Sequence, residues 1–272
     1  VNGYRMKVET RTAKSEKVKE EISALDSEID RKNERIRILD DLEKNMEGYQ
    51  GSVRSVMKES KRGALNGIHG PLSQLITVKD KYSVAVETAL GVAIQNIVVD
   101  NETDAKRAIA FLKESRGGRA TFLPLTAIKS RSLDEKDLDD AYGFVSIASD
   151  LVVADKKYRD IIENLLGKTV VCEDMDSAIS MAKKYKNRFK IVTLDGQVIN
   201  AGGSMTGGSK AHGVGMLSRS NEIEKLTKSV DDLKSKKDSL LIQEKMLSED
   251  LASAVADLNG IEGDILSANE ER

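Results

Sequence analysis

Apolar residues at heptad spacing occupy both ends of this chain and are missing from its middle, an arrangement that few folds satisfy. With Ile22 placed at a, the N-terminal a positions are Val1, Val8, Ser15, Ile22, Ile29, Ile36 and Glu43. The d positions are Tyr4, Arg11, Val18, Leu25, Lys32, Leu39 and Met46. Most of this seam is apolar and most other positions are charged, as a coiled-coil helix requires. With Ile223 at a, the C-terminal a positions are Ile223, Val230, Lys237, Glu244, Leu251, Leu258 and Ile265. Its d positions are Leu226, Leu233, Leu240, Leu247, Ala254, Ile261 and Ala268. Gly48 and Gly51 close the first helix, and Ser220 and Asn221 offer N-caps to the second. Each helix would extend roughly 70 Å at about 1.5 Å per residue.

Matched seams on either side of one insert predict an antiparallel pair within the chain. Pairing with other chains, or two single helices, are the alternatives. One register sets Leu25 against Glu244 and Lys32 against Lys237. A slide of one heptad sets Leu25 against Leu251 and Lys32 against Glu244. The second register is expected, because it replaces a like-charge layer with an opposite-charge one.

The pattern divides the chain into a helix over 1–47, a globular insert over 48–217 and a helix over 218–272. Val1 already lies inside the heptads, as expected of a segment of a longer chain. In the insert, Pro71–Val78 reads as a strand and Lys81–Leu90 as a helix closed by Gly91. Asn96–Asp100 reads as a strand, Glu102–Glu114 as a helix and Arg119–Pro124 as a strand. Residues 126–143 form a polar connection, partly helical. The order then recurs. Lys81-Tyr82 and Leu90-Gly91 have the spacing of Lys157-Tyr158 and Leu166-Gly167. Val98-Val99-Asp100 matches Val171-Cys172-Glu173, the helix recurs as Met175–Tyr185, and Arg119–Leu123 matches Lys190–Leu194. A unit used twice predicts two related subdomains, about 67–125 and 144–208, with pseudo-twofold symmetry.

After the last of these strands comes Asp195-Gly196-Gln197-Val198-Ile199-Asn200-Ala201-Gly202-Gly203-Ser204-Met205-Thr206-Gly207-Gly208. Paired glycines there admit three uses: a phosphate cradle, a flexible exit loop, or a surface where two chains meet. Gly208-Ser209-Lys210 lacks the Gly-Lys-Ser/Thr order of a nucleotide-binding loop. The only histidines, His69 and His212, have no partner at metal-ligand spacing, and His69 reads as a turn residue. No acid–base pair or nucleophile stands out, so no catalytic residue, cofactor or metal is expected. Close approach between chains fits better, with Gly202, Gly203, Gly207 and Gly208 on one strand edge and Gly117 and Gly118 at the other repeat's strand start. If the first unit of one copy meets the second unit of another, two such contacts close a twofold ring.

The formal net charge of −2 gives no bulk attraction to nucleic acid or membrane. A local patch remains open. Arg54, Lys58, Lys61 and Arg62 follow the first helix, and Lys210 and Arg219 precede the second; solvated surface and phosphate binding are the two readings. The only cysteine, Cys172, sits in an apolar run, which reads as a buried strand thiol suited to a reducing cytosol. No signal-like start and no membrane-length apolar run is present, so no membrane is expected.

The arrangement resembles the hinge of a bacterial SMC (structural maintenance of chromosomes) protein with parts of its antiparallel arm. The resemblance is carried by Gly67-Ile68-His69-Gly70, Ala89-Leu90-Gly91, Val98-Val99-Asp100-Asn101, Gly118-Arg119-Ala120-Thr121-Phe122-Leu123-Pro124-Leu125, Thr193-Leu194-Asp195-Gly196 and the final glycine motif. It implies an α/β hinge inserted between two long helices that form an antiparallel coiled coil. It implies a homodimer with the glycine motif at its interface, a role in chromosome condensation and segregation, and some DNA affinity near the hinge–arm junction. A cytoplasmic, nucleoid-associated protein follows. The family's ATP-binding heads, where kleisin-type subunits bind, would lie beyond both ends of this chain. Where some relatives carry several lysines after the last glycines, only Lys210 stands here, before Ala211 and His212. The alternatives are a coiled-coil scaffold whose domain binds another protein, and an enzyme.

Overall fold

The computed structural model describes residues 2–135, 137–208 and 215–271. The chain divides into one unit of Val1–Asp41 with Ile223–Arg272 and a second of Leu42–Glu222.

The first unit contains most of α1 (Asn2–Lys44) and α7 (Met216–Glu270). The two helices run antiparallel. Arg5 reaches Glu262 at 2.6 Å near one end, and Lys19 meets Glu244 at 3.5 Å further along. Seam residues Val18, Leu25, Ile29 and Val230 are buried, as are the small seam residues Ser15 and Ala254. The register is not the expected one. Lys237 pairs with Asp26, so Leu25 lies level with Lys237, two heptads from Leu251 and one from Glu244. The charge argument for the other register fails for a physical reason. Each lysine of the seam finds a carboxylate beside the seam rather than across it: Lys237 takes Asp26, and Lys32 takes Glu28 one turn back at 3.4 Å. Lysine keeps its stem among the apolar residues and its ammonium outside.

In the second unit the chain makes α2 (Gly51–Lys61), β1 (Ile68–Pro71), β2 (Ile76–Val78), α3 (Asp80–Leu90), β3 (Ile97–Val99), α4 (Glu102–Glu114) and β4 (Phe122–Pro124). It continues with β5 (Phe144–Ile147), β6 (Val152–Ala154), α5 (Arg159–Leu166), β7 (Thr169–Cys172), α6 (Met175–Lys184), β8 (Lys190–Thr193), β9 (Val198–Ile199) and β10 (Met205–Thr206). One sheet has the order β1-β3-β4 and another β10-β9-β8-β7-β5. In each, the first strand of the repeat is antiparallel to the second and the second parallel to the third: β1, β3, β4 in one and β5, β7, β8 in the other. The duplication read from the sequence is therefore a duplication of topology. Strands β2 and β6, one from each repeat, pair as an antiparallel ribbon.

Alternation along the central strands explains the packing. On β3, Val98 faces a core shared with Val171, Val192, Leu90 and Leu166. Ile97 and Val99 face the opposite way, onto α2 and α4 through Val53, Val56, Ala105 and Ala108. On β7, Val171 enters the shared core, while Val170 and Cys172 pack under α6 with Ala178 and Met181. These side chains are almost wholly buried, and each Val, Ile, Leu and Met among them contributes about 1.5–3 kcal/mol relative to exposure. The pattern is that of strands covered on both faces.

Several expectations need correction. Ser220 and Asn221, expected as N-caps of the second helix, lie inside α7, which begins at Met216. Pro71–Val78 is not one strand: β1 ends at Pro71, a short 3-10 turn spans Leu72–Gln74, and β2 pairs with β6 in a separate ribbon. Strand β4 begins at Phe122 rather than Arg119. Strands β5 and β6 were not foreseen, and among its described residues the 126–143 connection contains no helix.

Candidate functional site

The glycine motif folds as a hairpin on the edge of the five-stranded sheet. Strand β9 pairs with β8, and β10 pairs with β9 through Ile199–Met205 and Val198–Thr206. The turn between them is closed by Gly203 N–H donating to Asn200 O at 2.9 Å, and by Gly202 N–H donating to Asn187 O at 2.8 Å. Gly202 and Gly203 both have positive φ, +89° and +94°, which a residue with a Cβ adopts only under strain. Among the described residues the outer edge of β10 has no partner strand, and Met205 on it is 55 % exposed.

The four glycines of the motif differ in what surrounds them. A Cβ at Gly202 or Gly208 would meet nothing within 4 Å. A Cβ at Gly203 would press on Asn187 at 3.2 Å, and one at Gly207 would overlap the side-chain oxygen of Gln197. Gly208 in turn is held by that same side chain, its N–H donating to Gln197 Oε1 at 2.9 Å and its carbonyl accepting from Gln197 Nε2 at 3.3 Å. The motif is thus a shaped edge rather than a slack linker through residue 208.

Gly117 and Gly118 lie in the turn before β4. A Cβ at Gly117 would crowd Leu112 at 2.9 Å, and Gly118 has φ of +85°. Ser52 of α2 fixes the following residue by donating to Arg119 O at 2.6 Å. Strand β4 is the edge of its own sheet. It occupies the place that β8 holds in the other repeat, but among the described residues it lacks the strands β9 and β10 that continue the sheet beyond β8. Pro124, with no N–H to give, is at home on such an edge.

The basic candidates separate. Arg54, Lys58 and Lys61 recur at four- and three-residue steps on α2, and with Lys44, Met46 and Met57 they line a groove of about 270 Å³. Lys44 was not singled out in the sequence because it sits inside the heptad stretch. Arg62 is turned toward Glu59 at 2.9 Å. Arg219 is only 8 % exposed, with its guanidinium donating to Glu47 O at 3.3 Å, so it does not share the α2 surface. Lys210 lies outside the described residues.

Two further residues are placed clearly. His69 stands on β1, not in a turn, and its ring nitrogens lie 2.9 Å from Tyr158 Oη and 2.7 Å from Asp100 Oδ1. It joins the two repeats through side chains, with Asp100 in the first and Tyr158 in the second. Cys172 is fully buried, and burial pushes its thiol up to about 12, which removes the thiolate that nucleophilic chemistry needs. Among the described residues no cluster of three or more His, Cys, Asp or Glu could hold a metal ion, and no helix is long and apolar enough to cross a membrane.

Comparison with known proteins fits this geometry. Residues 65–182 match the family model of the SMC proteins Flexible Hinge Domain. The chain is 41% identical over 211 residues to the Chromosome partition protein Smc of Bacillus subtilis (strain 168), covering 76% of this chain and 18% of that protein. It is 43% identical over 202 residues to the Smc of Halothermothrix orenii, covering 73% of this chain and 17% of that protein. The chain therefore spans under a fifth of the length of either relative. Among solved structures, the asymmetric dimer of the Geobacillus stearothermophilus SMC hinge domain superposes with a TM-score of 0.77 at 37% identity, covering 89% of this chain and 98% of that one. The Pyrococcus furiosus Smc hinge domain with an extended coiled coil gives 0.52 at 28% identity, covering all of this chain and 97% of that one.

Proposed function

This chain belongs to the SMC hinge family, and from that premise we propose that it is a homodimerisation module whose interface is formed by two uncovered strand edges, those of β10 and β4. The observation that carries the reading is their complementarity. Beyond β8 its sheet continues with β9 and then β10, whereas the counterpart β4 ends its sheet among the described residues. Adding β10 of one copy to β4 of another would extend both sheets, and the reciprocal contact closes the pair with neither of these two edges left free. The glycines let the backbones come close: Gly202 and Gly208 have empty space on their Cβ side, and Gly118 sets the entry to β4. A related hinge, that of Geobacillus stearothermophilus, crystallised as a dimer. In the longer protein the module would join two arms, with ATP-binding heads and their kleisin-type partners at the far ends, in the service of chromosome partition.

Sedimentation equilibrium tests the interface. The wild-type chain is expected at twice its monomer mass at micromolar concentration. Met205→Glu puts a charge on the exposed edge without touching the core, and should give monomers of unchanged helix content. A monomeric wild type, or a Met205→Glu chain that dimerises as tightly, overturns the proposal.

A second reading adds to the first. The groove lined by Lys44, Arg54, Lys58 and Lys61 gathers four cations on one surface of a chain whose charges otherwise nearly cancel, which suits the phosphate backbone of DNA without base specificity.

A further inference from the structure

We propose that Gln197 is a positioning residue of the dimer edge: its carboxamide sets the backbone of Gly207-Gly208 in the shape that the partner's strand meets. The proposal rests on the homodimer reading above. Gln197 immediately precedes β9, and β10 ends at Thr206. One step beyond the pair Val198–Thr206, the ladder would continue with residue 197 opposite residue 207. The side chain of Gln197 takes over there. It accepts from Gly208 N–H and donates to Gly208 O, the two bonds that a paired strand would have supplied. The hairpin is extended by a side chain instead of by main chain, and the last two glycines stay on the line of β10.

This arrangement changes what Gly207 is for. The space where its Cβ would stand is filled by Gln197 Oε1, from the same chain. Gly207 is required by Gln197, whereas Gly202 and Gly208, with nothing within 4 Å, leave their space to the partner. Gln197 itself is anchored from behind. Its N–H donates to Thr193 Oγ1 at 2.8 Å, and its carbonyl accepts from Thr193 N–H at 2.9 Å, so the carboxamide departs from a fixed backbone. Asn200 does the equivalent at the other end of the hairpin, with its N–H donating to Ser204 O at 2.8 Å and its side chain donating to Ser204 Oγ at 3.1 Å.

A double-mutant cycle read as the dimer dissociation constant tests this, with sedimentation of the wild type, Gln197→Ala, Gly207→Ala and the double variant. Loss of the clamp should weaken the Gln197→Ala dimer about tenfold, the scale of one or two backbone-directed hydrogen bonds. Helix content should not change, because Gln197 lies outside every helix, immediately before β9. Gly207→Ala should weaken dimerisation by displacing Gln197. The double variant should be no weaker than Gln197→Ala alone, since the new methyl group enters the space the carboxamide has left. An unchanged constant for Gln197→Ala overturns the proposal, and so does a Gly207→Ala penalty of equal size in both backgrounds, which would assign Gly207 to the partner. A monomeric wild type would instead sink the dimer reading. If Gly207→Ala fails to fold, the constant for Gln197→Ala decides alone.

Discussion

Asn101 and Asp174 stand at the same point of the two repeats and do the same work with different chemistry. Asn101 caps α4 by accepting from Thr103 N–H and Asp104 N–H, and Asp174 caps α6 by accepting from Ser177 N–H. Each satisfies backbone donors that the first turn of a helix leaves unpaired. The difference is that Asp174 titrates. Hydrogen bonds from the Ser177 amide and then from its hydroxyl hold the Asp174 carboxyl below its ordinary value. A group whose folded value is depressed stabilises fully above its unfolded value and loses that contribution as pH falls through the folded value. Asp174→Asn should therefore unfold at a lower temperature than wild type at pH 7, and the gap should close as the pH is lowered below the carboxylate range. Asn101→Ala should cost about 1 kcal/mol at every pH. Thermal unfolding across pH 3–7 checks both; a gap for Asp174→Asn that is independent of pH would refute the assignment. Both caps are readable from the chain because each is an Asx residue before an apolar-periodic run. The roles of Gln197 and His69 are not, because their partners become neighbours only through strand register.

At the scale of elements, periodicity was readable and partnership was not. The heptads predicted two long helices, and the repeat predicted the order of β3, α4 and β4 against β7, α6 and β8. Strands β5 and β6 escaped because they are short runs whose partners lie far along the chain: Phe144–Ile147 joins β7, and Val152–Ala154 joins β2. The arm register escaped for a related reason. Weighing only layers of a against d, the seam lysines had to face something within the seam. In the structure their carboxylates come from Glu28, on the same helix, and Asp26, next to Leu25. Cysteine pairs decide the register directly. Leu25→Cys with Lys237→Cys should crosslink nearly completely with a short reagent, and Leu25→Cys with Leu251→Cys only at background. Cys172 is buried and should not compete. Efficient crosslinking of the 25–251 pair alone would return the arm to the register first expected.

For the molecule as a whole, the question is whether nucleic-acid binding follows from total charge or from one surface. The net charge is −2, so the field at long range opposes DNA weakly, and any affinity must be local. The α2 groove offers Lys44, Arg54, Lys58 and Lys61 within one surface. Neutralising roughly four phosphates predicts that log K falls against log salt with a slope of about −3 to −4. Reversing two of the four contacts should leave a slope of about −2. Lys58→Glu with Lys61→Glu is the informative pair, since both side chains are exposed on α2. The control is Lys228→Glu with Lys236→Glu, two exposed positions on α7. Both pairs change the net charge equally, so a bulk effect would weaken binding to the same extent in each. A local surface predicts that only the α2 pair flattens the slope and that the loss is the same for unrelated DNA sequences, because phosphate contacts carry no base information. Titration of a short duplex across 50–200 mM salt gives the slopes. Equal losses for the two pairs, or binding by the wild type that does not respond to salt, would remove DNA from the function of this surface and leave the hinge as a dimerisation module alone.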